Sequence, residues 1–125
     1  MVLGNVQTGM ELAVIVLADT DSHGDLGRLA NALETAADAV QAGAQVELIF
    51  DGAATRWIEK LESPQHRYHA LWLELKPSAG VCVYCSRAFG VLDAVGEAKV
   101  ALLDESRGHP SIYSRLERGV KVLTF

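Results

Sequence analysis

Two cysteines three residues apart, Cys82 and Cys85, are the side chains of this sequence best suited to chemistry. They lie in Gly80-Val81-Cys82-Val83-Tyr84-Cys85-Ser86, where a short apolar run gives way to polar residues. That change predicts a strand ending and a helix beginning. A helix N-terminus gathers unpaired N–H groups and partial positive charge. A thiol placed there is expected to ionise below its free pKa of about 8.5, and the thiolate is the nucleophilic form. Spacing alone leaves three uses open: a reactive thiol, a metal ligand, or a small apolar filler. If Cys82 is strand, it and the residue three further on face opposite ways. The two sulfurs then meet only if the chain turns between them.

Other candidates are histidines and acids. His66 and His69 form an H-x-x-H that, with Cys82 and Cys85, would supply four zinc ligands. The surrounding Gln65-His66-Arg67-Tyr68-His69 is polar throughout, and a fold with its own core has little need of a metal. The pair is therefore read as a solvated loop, and no bound metal is expected. His23 follows the first apolar run and is expected on the same sheet edge as Cys82, where it could donate a hydrogen bond or a proton. His109 precedes Pro110 and is read as shaping a helix start. Asp19 and Asp51-Gly52 end strands and are candidates to flank a substrate pocket; the plainer alternative is that the acids cap the helices that follow.

The elements that must position these residues are written in apolar periodicity. Leu12 to Ala18 is apolar on both alternating faces, as in a strand buried on both sides. Leu26, Leu29, Ala30, Leu33, Ala37 and Val40 make one helical stripe. Ser22 with Asp25 resembles a capping box at its start, and Gly43 marks its stop. Further strands are expected over 46–50, 80–84, 100–103 and 120–125. Shorter helices are expected over 53–61, 70–76, from 86 and over 110–118. Strands alternating with helices predict right-handed crossovers and a five-stranded, mostly parallel sheet in a three-layer α/β/α sandwich. Ligands in such sheets bind beyond the carboxyl ends of the strands. Residues 1–10 read as a loose N-terminal arm, and 11–125 as one domain.

Composition narrows the function classes. Half of the 125 residues are apolar and 22% are charged, which is globular. The formal net charge is −5, with acids and bases mixed and no basic run. Nucleic acid and anionic membrane surfaces are therefore not expected as partners. No apolar run is long enough to span a bilayer, and no secretory signal is evident, so a soluble cytoplasmic protein is expected. There is no G-x-x-x-x-G-K-[ST] loop, no G-x-G-x-x-G after the first strand and no G-x-S-x-G elbow.

The stretch from Gly80 to Val91 resembles the DsrE/DsrF-like family, which includes small sulfur-relay proteins. In that family a cysteine after the third strand is followed eight residues later by a glycine and a β-branched residue, here Cys82, Gly90 and Val91. The likeness extends over Ala13 to Gly43, 46–52 and 104–125. Gly108-His109-Pro110-Ser111 brings the chain nearest the stand-alone members with a C-x-x-C. It departs at Phe89, where relay members often carry arginine, and at Cys85, where many have no cysteine. The resemblance implies homo- or hetero-oligomers, a homo-oligomeric trimer or hexamer being expected here, and a sulfur donor or acceptor protein as partner. It implies Cys82 as the nucleophile that carries a persulfide; Cys85 would then serve as a resolving or supporting thiol, and His23, on the same sheet edge, could assist. No organic cofactor is required. The rival expectations are a non-catalytic oligomeric binding module with packing cysteines, and a zinc domain using His66, His69, Cys82 and Cys85.

Overall fold

The computed structural model describes residues 9–125, so most of the arm expected over 1–10 lies outside the described residues. Met10 is already tied in, its carbonyl accepting the Gln45 N–H at 2.9 Å. Five strands follow: β1 (Glu11–Val16), β2 (Gln45–Phe50), β3 (Ala79–Cys82), β4 (Ala101–Leu103) and β5 (Lys121–Thr124). They form one sheet in the order β4-β3-β2-β1-β5, and every neighbouring pair is parallel.

This order fixes the layers. From β1 to β4 the chain steps one strand at a time in the same direction. Right-handed crossovers then place the intervening helices on one face: α1 (His23–Gln41), α2 (Trp57–Leu61), α3 (His69–Leu75), α4 (Val83–Ala88) and α5 (Leu92–Ala98). The step from β4 to β5 runs back across the sheet, so α6 (Ile112–Glu117) covers the opposite face. The two cores reflect this. The large one joins Val14, Val16, Leu48, Phe50 and Val81 to Leu29, Leu33, Ile58, Leu61, Trp72 and Val95. The small one holds Ala13, Ile15, Ile49 and Val120, with Leu103, Ile112 and Val122 against it. The result is a three-layer α/β sandwich.

Local chemistry explains the helix ends. The Ser22 hydroxyl accepts the Asp25 N–H at 3.1 Å and caps α1. The Asp25 carboxylate accepts from Asp21 rather than from Ser22, so only half of the expected capping box forms. Leu29, Ala32, Leu33 and Ala36 are the buried stripe. The last helix starts at Ile112, not at Pro110, because the Ser111 hydroxyl takes the cap by accepting the Ser114 N–H at 3.2 Å. The helix expected from 86 is two helices, α4 and α5, parted at Gly90, whose φ is +72°.

Trp57 and Trp72 belong to the large core. Both are buried, and their indole N–H groups donate to the Ala18 carbonyl at 2.9 Å and the Glu62 carboxylate at 2.7 Å. Across the small core runs one buried cation. Arg115 is 4% exposed and donates to both oxygens of Glu47 at 2.6 and 2.8 Å, to both of Glu105 at 3.0 Å and to the Ser111 carbonyl at 2.7 Å. Among the described residues, no helix is long and apolar enough to cross a membrane.

Candidate functional site

Strand β3 stops two residues sooner than its apolar run suggests, and that early stop makes the site. Cys82 is the N-cap of α4, with extended backbone (φ −62°, ψ 121°), and its Sγ accepts the Cys85 N–H at 3.4 Å. The chain therefore turns between the two cysteines, and their side chains meet instead of facing opposite ways. Ser86 fastens the turn, its hydroxyl donating to the Cys82 carbonyl at 2.7 Å. Gly80 leaves the room β4 needs, since a Cβ there would stand 2.6 Å from Leu103 Cδ1.

Two more groups arrive from neighbouring strands. Asp51 follows β2, and its carboxylate accepts its neighbour Gly52 N–H at 2.8 Å. His109 comes from the segment after β4, which folds back over the thiols. Ser106 and His109 exchange backbone hydrogen bonds at 2.8 and 2.9 Å, and the Gly108 carbonyl accepts the Tyr84 N–H at 2.9 Å. The Tyr84 and His109 rings stack with centroids 4.5 Å apart. His109 Nδ1 thereby lies 3.3 Å from Cys82 Sγ and 3.9 Å from Cys85 Sγ. One ligand atom each from Asp51, Cys82, Cys85 and His109 lies within 4.8 Å of all the others.

The electrostatics differ from expectation. Cys82 is fully buried, whereas Cys85 is partly exposed. Burial pushes the Cys82 thiol up to about 12, and the Cys85 N–H opposes this only in part. The Cys85 side chain and the Asp51 carboxylate add to the rise. The depressed pKa expected for Cys82 is thus corrected: one N–H does not outweigh lost hydration and a nearby carboxylate.

The remaining sequence candidates separate. Asp51 stands at the thiols, but the Gly52 N–H is taken by Asp51 itself. Asp19 accepts the Thr20 N–H at 2.7 Å and pairs with Arg56 at 2.9 Å. His23 lines an open cleft of about 630 Å³ with Trp57, Lys60 and His66, a different place from the cysteines. His66 accepts the Tyr68 N–H on Nδ1 at 3.1 Å and packs edge-on against Trp57. The Leu61 carbonyl accepts from His69 Nδ1 at 2.7 Å. Neither His66 nor His69 joins the cysteines, so the H-x-x-H and C-x-x-C do not form one ligand set. The histidine that does reach the thiols is His109, expected only to shape a helix start. Its signal was the Gly108-His109-Pro110-Ser111 segment.

Fold and site together define a small parallel-sheet α/β protein with two free thiols, an imidazole and a carboxylate gathered at the carboxyl edge of its middle strands. No family model matches the chain. An uncharacterized protein of Methanocaldococcus jannaschii, MJ0733, is 27% identical over 81 residues, which cover 65% of this chain and 66% of that one. The chain thus matches just under two thirds of that relative's length. A conserved protein of unknown function from Bacteroides thetaiotaomicron, BT1422, superposes with a TM-score of 0.58 over 90% of this chain and 94% of that one, at 17% identity. This likeness shows the shared α/β fold.

Proposed function

We propose that the chain is a sulfane-sulfur carrier of the DsrE-like kind, which takes sulfur up on Cys85 and holds it as a persulfide on Cys82. The observation that carries this reading is one imidazole nitrogen, His109 Nδ1, within hydrogen-bonding reach of both sulfurs. Cys85 is the partly exposed thiol, so a donor meets it first.

In the first step the Cys85 thiolate attacks the outer sulfur of a donor persulfide, R–S–SH. A bond forms between Cys85 Sγ and that sulfur, the donor's S–S bond breaks, and RS⁻ leaves. In the second step Cys82 attacks the same outer sulfur. The bond to Cys85 breaks, and the proton released by Cys82 passes through His109 to the departing Cys85 thiolate. Neither step adds or removes electrons overall, so no redox cofactor is needed. On Cys82 the persulfide is shielded from water and receives the Cys85 N–H. The persulfide stays where the resemblance puts it, and the point of uptake moves to Cys85.

Thiols that must stay reduced suit the cytoplasm. The trimeric or hexameric assembly implied by the resemblance would use the thinly covered face, where Tyr113 and Leu116 of α6 are exposed. Intact-mass spectrometry of reduced protein incubated with a persulfide donor tests the reading. Wild type gains one sulfur, Cys85→Ser gains it far more slowly, and Cys82→Ser gains it but surrenders it quickly to cyanide. Equal loading of all three proteins, or no loading of a wild type whose thiols alkylate, would overturn it.

A further inference from the structure

We propose that Asp51, Cys82, Cys85 and His109 form a four-ligand site for a soft divalent cation, zinc first among them. The inference shares the free thiols and His109 with the sulfur-carrier reading but none of its chemistry.

The ligand types favour zinc. Two thiolates and an imidazole suit zinc and disfavour magnesium and calcium, which take oxygen ligands. The geometry fits as well. With zinc–sulfur bonds of about 2.3 Å and zinc–nitrogen bonds of about 2.0 Å, a tetrahedron has sulfur–nitrogen edges of about 3.6 Å. The two such edges here are 3.3 and 3.9 Å. No separation in the group exceeds 4.8 Å, against a tetrahedral sulfur–sulfur edge of about 3.8 Å, so side-chain rotations of about 1 Å close the site.

The surroundings also hold the ligands in place. The turn through Cys82 and Cys85 presents both sulfurs from one corner, with a backbone N–H already on Cys82 Sγ. The Asp51 carboxylate is anchored by the Gly52 N–H, and the His109 ring is stacked on Tyr84. Such outer contacts orient metal ligands. Asp51, Cys85 and His109 are all partly exposed, which leaves a path for the ion. A bound metal would occupy both sulfurs, so metal and sulfane sulfur exclude each other.

The test uses the whole reduced chain, stripped with chelator and titrated with cobalt(II) and then zinc. One equivalent of cobalt is expected to give a thiolate-to-cobalt charge-transfer band and the strong visible bands of tetrahedral cobalt, both erased by zinc. His109→Gln and Asp51→Asn should each weaken zinc binding at least about tenfold, read by competition with a chromophoric chelator. Circular dichroism confirms that each variant is folded, and His66→Gln serves as a control that should leave affinity unchanged. An octahedral cobalt spectrum, binding unaffected in both His109→Gln and Asp51→Asn, or no binding by protein whose thiols alkylate would each overturn the proposal. Protein that loads sulfur but binds no zinc sinks only this inference; protein that binds zinc but never loads sulfur sinks only the carrier reading.

Discussion

Tyr84 and His109 stack with ring centroids 4.5 Å apart and planes tilted by 33°. Tyr84 lies between the two cysteines in sequence, so the turn that brings the sulfurs together also carries the ring that orients the imidazole. Aromatic pairs of this kind contribute about 0.5–1.5 kcal/mol beyond burial. Tyr84→Ala should therefore slow transfer of the loaded sulfur from Cys85 to Cys82 about tenfold, so that it stays open to cyanide for longer, while lowering stability by no more than about 1.5 kcal/mol. Tyr84→Phe keeps the stack and should transfer sulfur normally. Mass spectrometry after a timed cyanide challenge, beside urea unfolding, checks both.

Gly108 holds the same imidazole through the backbone. Its φ is +86°, and a Cβ there would stand 3.3 Å from Tyr84 Cβ. Gly108→Ala should cost about 1–2 kcal/mol from the left-handed backbone alone. The crowding also presses on Tyr84, and with it on the His109 stack. The variant is expected to unfold at lower urea and to pass sulfur from Cys85 to Cys82 more slowly than its residual stability explains. Normal transfer would show that His109 is held by something other than this turn.

The Arg115 network makes stability depend on acid. Hydrogen bonding to Arg115 is the main reason the Glu105 carboxyl is held below its ordinary value of 4.5, and burial opposes it. A carboxyl with a lowered folded-state pKa contributes its full stability above the unfolded value and loses it as the pH falls through the folded one. Wild type should therefore lose stability as pH drops below about 4.5. Glu105→Gln should be less stable at neutral pH and should lose less between there and acid. Urea midpoints for both proteins across that range decide it, and parallel losses would show that Glu105 is not the titrating group.

Much of the fold was written in local patterns, and much of the site was not. The β1 run and helix α1 announce themselves because strand and helix periods act within a few residues, although α1 buries Leu29, Ala32, Leu33 and Ala36 and leaves Val40 of the expected stripe exposed. The cysteine pair was legible from spacing, and Asp51 from its place at a strand end. His109 was not, because its approach to Cys82 depends on β4 lying beside β3 and on the chain folding back through Ser106 and Gly108. H-x-x-H spacing pointed to His66 and His69 instead, but spacing along the chain does not say which side of an element a loop returns to. His23 and Cys82 do share the carboxyl edge of the sheet, yet β1 and β3 are separated there by β2, so a shared edge did not bring them together.

The place of β1 has a consequence for how the protein is made. Its two neighbours are β2, which follows one helix later, and β5, whose Lys121 pairs with Leu12. As the nascent chain leaves the ribosome, β1 can dock on β2 early. Its other flank must then wait until every residue between β2 and β5 has been translated, on the order of ten seconds or less at ordinary elongation rates. During that interval a buried strand of the finished protein is an open edge, the kind of surface on which other chains add strands.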